Sequence, residues 1–173
     1  MLKFVLPVLS PLLILGALIF RFEKESRTDK AGTRLLLPLE DVSTGKDLLS
    51  CYADLRYRVL IPPNFVAERT GVVVVVKDRD GRASFSSVYR KDVPLRPREH
   101  LLKYTVAKTK ENESEIRFAA VRFRTGNKDI RPESIGYAVV NADEDGHTVL
   151  TGLADINGKI LFKRGKSAAP RPE

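Results

Sequence analysis

The chain has 173 residues, of which 43% are hydrophobic and 30% are charged, and its formal net charge is +8. This composition excludes an intrinsically disordered chain, and the length favours one domain of ordinary size. The single cysteine, Cys51, excludes a scaffold held by intramolecular disulfides. The net charge would suit an anionic partner, but the basic residues are scattered among acidic ones and never form a run of five. A basic surface without such a partner is therefore the simpler interpretation.

The first part of the chain is apolar. Seventeen residues, from Phe4 to Phe20, carry no charge, and Lys3 and Arg21 flank them. As a helix this segment would be about 25 Å long, the short end of a bilayer crossing. A cleaved signal peptide is the alternative, but the residues before Arg21 contain no pair of small side chains at cleavage spacing. The sequence therefore predicts an uncleaved membrane anchor over residues 1–22.

The orientation of this anchor is open from the residues alone. Five basic residues follow the apolar run closely: Arg21, Lys24, Arg27, Lys30 and Arg34. The preference of positive flanks for the cytoplasm would keep the rest of the chain inside the cell. A long domain behind a short basic N-terminus, however, is commonly translocated to the other side of the membrane.

The rest of the chain divides by composition. Residues 23–33 are polar without apolar periodicity, which predicts a linker, and residues 165–173 are typical of a disordered tail. Between them, residues 34–164 contain the signals of a β-rich domain. Three glycine turns separate apolar runs. The turn 78–81 joins the buried run 72–76 to the strand 82–89. The turn 143–146 joins the strand 135–142 to the strand 147–153, and the turn 157–158 joins that strand to the strand 159–162.

Alternation of apolar and polar residues predicts further strands. Leu55, Tyr57, Val59 and Ile61 share one face, and Leu102, Tyr104 and Val106 share another. In the segment 115–124 the phase of the alternation shifts, which predicts a β-bulge at Ala119–Ala120 with Arg117, Arg122 and Arg124 exposed. A helical turn is expected near residues 46–50. We therefore predict a mainly β chain, in which one transmembrane helix precedes an antiparallel sandwich or open barrel of about nine short strands.

No pattern of catalytic or ligand-binding residues emerges. His100 and His147 lack the spacing of a zinc site. The acidic stretches 78–80 and 143–145 lack the ligand register of a calcium loop, so these stretches are better explained as hairpin tips. No phosphate-binding glycine loop occurs. Phe118 and Phe123 would face away from the neighbouring arginines, which disfavours stacking on nucleic acid. We expect no catalytic residue, no cofactor and no metal, and we retain Arg117, Arg122 and Arg124 as candidate contacts for an anionic ligand.

One stretch resembles a known motif. In residues 50–57 (SCYADLRY), Tyr52, Leu55 and Tyr57 occupy the Tyr, Leu and Tyr positions of the motif of the GDYXXLXY family of bacterial membrane-anchored proteins. Ser50 and Cys51 stand where that motif has Gly and Asp. The apolar segment 35–39 before the motif and the stretch 152–159 (GLADINGK) also resemble parts of the family pattern.

The resemblance implies a location more than a chemistry. It implies an accessory protein that assists a multi-pass membrane protein, with its domain on the extracytoplasmic side. We expect a membrane-tethered, non-catalytic interaction domain; the alternatives are a basic module that binds an anionic lipid, polymer or nucleic acid, and a hydrolase at the membrane surface. Tyr52 falls on the opposite strand face from Leu55 and Tyr57. It is expected either to cap the edge of the core, with its hydroxyl bonded to a backbone group, or to bind a partner.

Overall fold

The computed structural model describes residues 16, 19, 23, 25–29, 31–47, 50–58, 69–108, 114–126 and 131–164. This part of the chain contains ten strands and one short 3-10 turn at Pro132–Ser134. The strands are β1 (Thr33–Lys46), β2 (Cys51–Tyr57), β3 (Thr70–Lys77), β4 (Ala83–Val88), β5 (Glu99–Lys108), β6 (Ser114–Arg117), β7 (Arg122–Gly126), β8 (Tyr137–Ala142), β9 (Thr148–Ala154) and β10 (Ile160–Lys163). The predicted mainly β class is confirmed.

The strands form two antiparallel sheets that curl into half-barrels. One sheet has the order β10-β9-β8-β1-β2-β7, and the other has the order β4-β3-β5-β6. The long strand β1 lies inside the larger sheet, where its first half pairs with β8 and its second half pairs with β2. The first half of β1 has β8 on one side only. On its other side, the Leu36 N–H donates to the Gly81 carbonyl at 2.8 Å. That bond joins β1 to the turn between β3 and β4, so one strand connects both sheets.

The hydrophobic core lies between the two sheets. Its completely buried side chains include Leu35 and Leu37 on β1, Val73 on β3 and Leu102 on β5. The predicted buried pairs, Leu55 with Tyr57 and Leu102 with Tyr104, are confirmed, whereas Val59 and Ile61 lie outside the described residues. In the run 72–76 the alternate residues Val73 and Val75 belong to this core, and Val74 is buried on the opposite face of the sheet.

Three hairpin turns share one construction. Gly81, Gly146 and Gly158 have φ values of 87°, 81° and 85°, which confirms the predicted glycine turns. Three residues before each glycine stands an aspartate, namely Asp78, Asp143 or Asp155. Its Oδ1 accepts the backbone N–H four residues further on, at 2.7, 2.8 and 2.8 Å respectively. The acidic stretches 78–80 and 143–145 are therefore hairpin tips, and their first carboxylates stabilise the turns.

The predicted bulge at Ala119–Ala120 is wrong. β6 ends at Arg117 in the smaller sheet, where it pairs with β5, and β7 begins at Arg122 in the larger sheet, where it pairs with β2. Residues 118–121 therefore cross from one sheet to the other. The phase of the alternation shifts because two different strands, in two different sheets, each turn one face toward the common core.

Tyr57 holds this crossing segment in place. Its hydroxyl donates to the Ala120 carbonyl at 2.7 Å, and its ring meets the Phe118 ring edge to face, with centroids 6.3 Å apart. Burial raises the pKa of the Tyr57 hydroxyl well above its usual range, and the negative charge of Glu115 acts in the same direction. The neutral hydroxyl is thus fixed as a donor to the backbone of the crossing.

Part of the expected linker 23–33 is helical and packs against the domain. Residues 25–29 are helical, and β1 already begins at Thr33. The side chain of Thr28 is buried, and its hydroxyl donates to Asp143 Oδ2 at 3.1 Å. Asn141 Nδ2 donates to the Asp29 carbonyl at 2.7 Å. These bonds attach the helical segment to the β8–β9 hairpin.

Several expectations concern residues that the structure does not describe. The tail 165–173 and residues 1–22, apart from Gly16 and Ile19, lie outside the described part. Within that part, no helix combines the length and the apolar character that a membrane crossing requires. The helical turn expected near residues 46–50 is not seen in the described residues: Lys46 ends β1, and the Ser50 N–H donates to Asp47 Oδ1 at 2.7 Å in the connection to β2, of which residues 48 and 49 are not described.

The hydrogen bond of Tyr57 yields a test of the fold. Tyr57→Phe is expected to lower the free energy of unfolding by about 1 kcal/mol, because it removes the hydrogen bond between the buried Tyr57 hydroxyl and the Ala120 carbonyl. Urea denaturation of the purified full chain measures the change. The matched control is Tyr52→Phe on the same strand, which is expected to change stability by less than about 0.5 kcal/mol. Equal losses in both variants would contradict this role of Tyr57.

Candidate interaction groove

The outward face of β1, β2 and β7 is polar. The strand register brings Gly45, Tyr52 and Arg124 into one cross-strand row and Ser43, Asp54 and Arg122 into the next; Asp41 lies opposite Arg56 in a third. These residues alternate with the buried ones, so their side chains point away from the core. We call this set of eight residues the polar face.

Tyr52 lies in the polar face between two neighbours. Its ring covers Gly45 so closely that a Cβ at residue 45 would collide with the ring. The guanidinium carbon of Arg122 lies over the ring, 4.3 Å from its centroid, at the distance of a cation–π contact. The predicted backbone hydrogen bond of the Tyr52 hydroxyl is not formed with any residue that the structure describes. The ring is thus held on the outer side of the sheet, between Gly45 and Arg122.

Arg122 also binds a carboxylate. Its Nε and Nη2 atoms donate to the two carboxylate oxygens of Asp54 at 2.6 and 3.0 Å, which is a bidentate ion pair between neighbouring strands. The side chains are 49% and 38% exposed, so water screens the pair. Its consequence is mainly geometric, because it fixes the guanidinium plane over the ring of Tyr52.

An open groove of about 550 Å³ lies beside the polar face. Its described lining residues come from both sheets and from the crossing segment: Asp41, Ser43, Asp54, Leu55, Arg56, Glu115, Arg117, Val121 and Arg122. Three carboxylates therefore face three guanidinium groups. Arg117 is paired with Glu115 at 2.7 Å and Arg122 with Asp54, whereas Arg56 forms no ion pair with a described residue.

The residues predicted from sequence are only partly brought together. Arg117 and Arg122 line the groove, whereas Arg124 is exposed on β7 beside Tyr52 and does not line it. In the motif, Leu55 and Tyr57 are buried in the core and Tyr52 faces outward, which confirms the predicted division of the motif between two faces. Cys51 is buried at the start of β2, as expected for a small hydrophobic side chain.

Sequence reasoning missed the acidic members of the groove. Asp54 shares the strand parity of Tyr52, so the alternation in β2 already placed both on one face. Asp41 and Glu115 gave no such signal, because their approach depends on pairing between distant strands.

Within the described residues, no group of three or more His, Cys, Asp or Glu side chains is arranged to hold a metal ion. The two histidines do not line the groove. Burial is the main cause that lowers the pKa of His100, and the positive charge of Lys77 acts in the same direction. His147 Nε2 is 2.8 Å from Lys103 Nζ.

Comparison with known proteins does not identify a family. No family model matches the chain, and neither a curated protein nor a solved structure has significant similarity to it.

The ion pair of the polar face can be tested by a double-mutant cycle. Asp54→Asn, Arg122→Gln and the double variant are expected to give a coupling energy of about 0.5–1 kcal/mol in urea denaturation, because the pair is bidentate but exposed. The coupling should shrink in 1 M salt, where charges are screened over about 3 Å. A coupling indistinguishable from zero at low salt would show that the pair does not hold the two strands together.

Proposed function

We propose that this chain is a membrane-tethered, non-catalytic accessory domain that binds a partner protein through the polar face and the groove beside it. The apolar residues 1–22 are the tether, and the domain lies on the extracytoplasmic side. The partner is a multi-pass membrane protein. The resemblance of residues 50–57 to the GDYXXLXY motif supports the location and the class of partner, and the surface chemistry supports the binding mode.

The observation that carries this proposal is the division of the motif by strand parity. Leu55 and Tyr57 stabilise the core, so their presence is explained by folding. Tyr52 does not contribute to the core cluster; instead, it is held at the surface between Gly45 and Arg122. Tyrosine and arginine side chains are over-represented at the energetic centres of protein interfaces. A ring that is already ordered loses little conformational entropy on binding, which raises the affinity it provides.

The charge of the groove favours a protein partner over an anionic polymer. Arg117 and Arg122 already bind carboxylates, so a phosphate or sulfate group that bound either of them would have to displace an internal partner. The three lining carboxylates would also repel it. A protein surface with both signs of charge complements such a groove, and exposed pairs of this kind contribute specificity more than affinity.

The arrangement gives less support to a hydrolase. A pair of catalytic carboxyl groups needs two different environments, one of them apolar enough to keep a carboxyl protonated. Here Asp54 and Glu115 are each bonded to an arginine in an open polar groove. The geometry therefore favours recognition over acid–base chemistry.

Site-specific crosslinking tests the proposed interface. A photoreactive amino acid in place of Ser43, an exposed residue that lines the groove, is expected to form a covalent adduct with one membrane protein when the full chain is expressed in its native membranes. Combining this probe with Tyr52→Ala should reduce the adduct about tenfold, because the ordered ring is the expected anchor. Mass spectrometry identifies the adduct.

The control probe replaces Ser84, which is also an exposed strand residue but lies on β4 in the other sheet. It should form no adduct with the same protein. An adduct at residue 43 that persists in the Tyr52→Ala background, or equal adducts from both positions, would contradict binding through the polar face.

The orientation of the tether has its own test. Ser84→Cys in the full chain, at an exposed residue outside the proposed interface, is expected to react with a membrane-impermeant maleimide added to intact cells, because the domain is proposed to lie outside the cytoplasm. The native Cys51 is 6% exposed, so it should contribute little labelling to the folded protein. Labelling that requires permeabilised cells would place the domain in the cytoplasm instead.

A further inference from the structure

The connection between β4 and β5 exposes apolar side chains. Val88, Val93 and Leu95 are 41%, 54% and 42% exposed, and they are three of the six large hydrophobic residues that the described part of the chain leaves exposed. We call residues 88–98, from the last residue of β4 to the residue before β5, the β4–β5 loop. We propose that this loop is a second membrane contact, which places its apolar side chains among the headgroups of an anionic bilayer. This inference rests on the tethering part of the proposed function.

The charge of the loop suits such a surface. Arg90, Lys91, Arg96 and Arg98 are exposed, and Asp92 is the one acidic residue between positions 88 and 98, so the loop carries four positive charges against one negative charge. None of the four cations forms an ion pair with a described residue. In this respect they differ from Arg117 and Arg122 in the groove, whose charges are already balanced. Unpaired cations beside exposed apolar side chains are typical of segments that bind anionic lipid surfaces.

The backbone of the loop also suits an interface with little water. Pro94 and Pro97 have no N–H group, which removes two donors that would otherwise lose their hydration. The Val93 N–H donates to the Arg90 carbonyl at 3.1 Å, and the Arg96 N–H donates to Glu99 Oε2 at 2.8 Å. Bringing this backbone close to lipid therefore leaves fewer polar groups unsatisfied than an ordinary loop of the same length would.

The shape of the loop is fixed at its second end. The Lys77 N–H donates to the Arg98 carbonyl at 3.0 Å, and the Glu99 N–H donates to the Arg96 carbonyl at 3.0 Å. Arg98 has a φ of 70°, and it is the one non-glycine residue of the described chain in the left-handed region. That conformation is costly for an arginine and persists only when its surroundings hold it. The exposed apolar residues are thus presented by an ordered turn.

The loop lies near the point where the tether reaches the domain. Thr28, in the helical segment that follows the apolar N-terminus, is bonded to Asp143, which begins the turn that ends at Gly146. Gly146 packs directly against Leu101, and its carbonyl accepts the Lys103 N–H at 2.8 Å. Leu101 is three residues, about 10 Å, beyond Arg98. A tether that leaves the domain at the β8–β9 hairpin therefore brings the neighbouring β4–β5 loop toward the same bilayer.

The same features disfavour nucleic acid as the occupant. Single-stranded nucleic acid is bound by cations combined with aromatic side chains on which bases stack. Tyr89 is the one aromatic residue of the loop and is half-buried, and the exposed uncharged side chains of residues 88–98 are aliphatic or proline. An aliphatic surface with surrounding cations matches the boundary between lipid acyl chains and phosphate groups.

A fluorescence experiment on the full chain in lipid vesicles tests the proposal. Val93→Cys is labelled with an environment-sensitive dye, and the chain is reconstituted into vesicles of phosphatidylcholine alone or with 30% phosphatidylglycerol. In the anionic vesicles we expect a blue shift and quenching by a lipid-bound quencher. Arg90→Gln and Arg96→Gln should each lower the ratio of lipid-exposed to water-exposed dye by about fivefold.

The matched control is the same dye at Ile156→Cys, an apolar turn residue that is 73% exposed in the hairpin between β9 and β10. It should remain in water in both kinds of vesicle. A dye at residue 93 that stays in water, while the chain floats with the vesicles, would overturn the loop contact and leave the tether intact. Failure of the chain to float with anionic vesicles would overturn the tether and the loop contact together. A dye that responds to a single-stranded oligonucleotide but not to vesicles would replace lipid with nucleic acid as the ligand.

Discussion

The contact between Tyr57 and residues 118–121 determines how the two sheets meet. The crossing segment leaves β6 in one sheet and becomes β7 in the other, so its position sets which residues of β7 pair with β2. The hydroxyl of Tyr57 binds the backbone of the crossing, and its ring packs against Phe118. The pairing of Asp54 with Arg122, and hence the placement of Arg122 over Tyr52, depends on this register.

The positive charge of the chain is distributed unevenly over the domain. In the groove, arginines and carboxylates are present in equal number and are mostly bonded to each other, which suits a protein surface of mixed charge. In the β4–β5 loop the cations form no ion pair with a described residue, and they lie on either side of the exposed Val93 and Leu95. The overall net charge therefore says little about function, because two surfaces with different physical chemistry contribute to the same sum.

The two proposed contacts are compatible in one molecule. The helical segment before β1 is bonded to the β8–β9 hairpin, and this hairpin packs against β5 near the end of the β4–β5 loop. The groove lies elsewhere, where β1, β2 and β7 of the larger sheet meet the edge strand β6 of the smaller one. A domain held at two points on a bilayer has less orientational freedom than one held by a flexible linker, which lowers the entropy lost when the groove meets a membrane partner.

Local signals determined much of the fold. A glycine three residues after an aspartate specifies each hairpin turn, because the aspartate bonds the turn backbone and the glycine adopts a positive φ. Alternation in β2 and β5 specifies which of their side chains are buried. These properties depend on neighbours in the chain, so the sequence alone was sufficient. It could not distinguish a bulge from a change of sheet at residues 118–121, since both produce the same shift in alternation. Only the tertiary structure decided the groove. Asp41, Asp54 and Glu115 approach the arginines when the core brings β1, β2 and β6 together, and the local sequence around these acidic residues does not specify that packing.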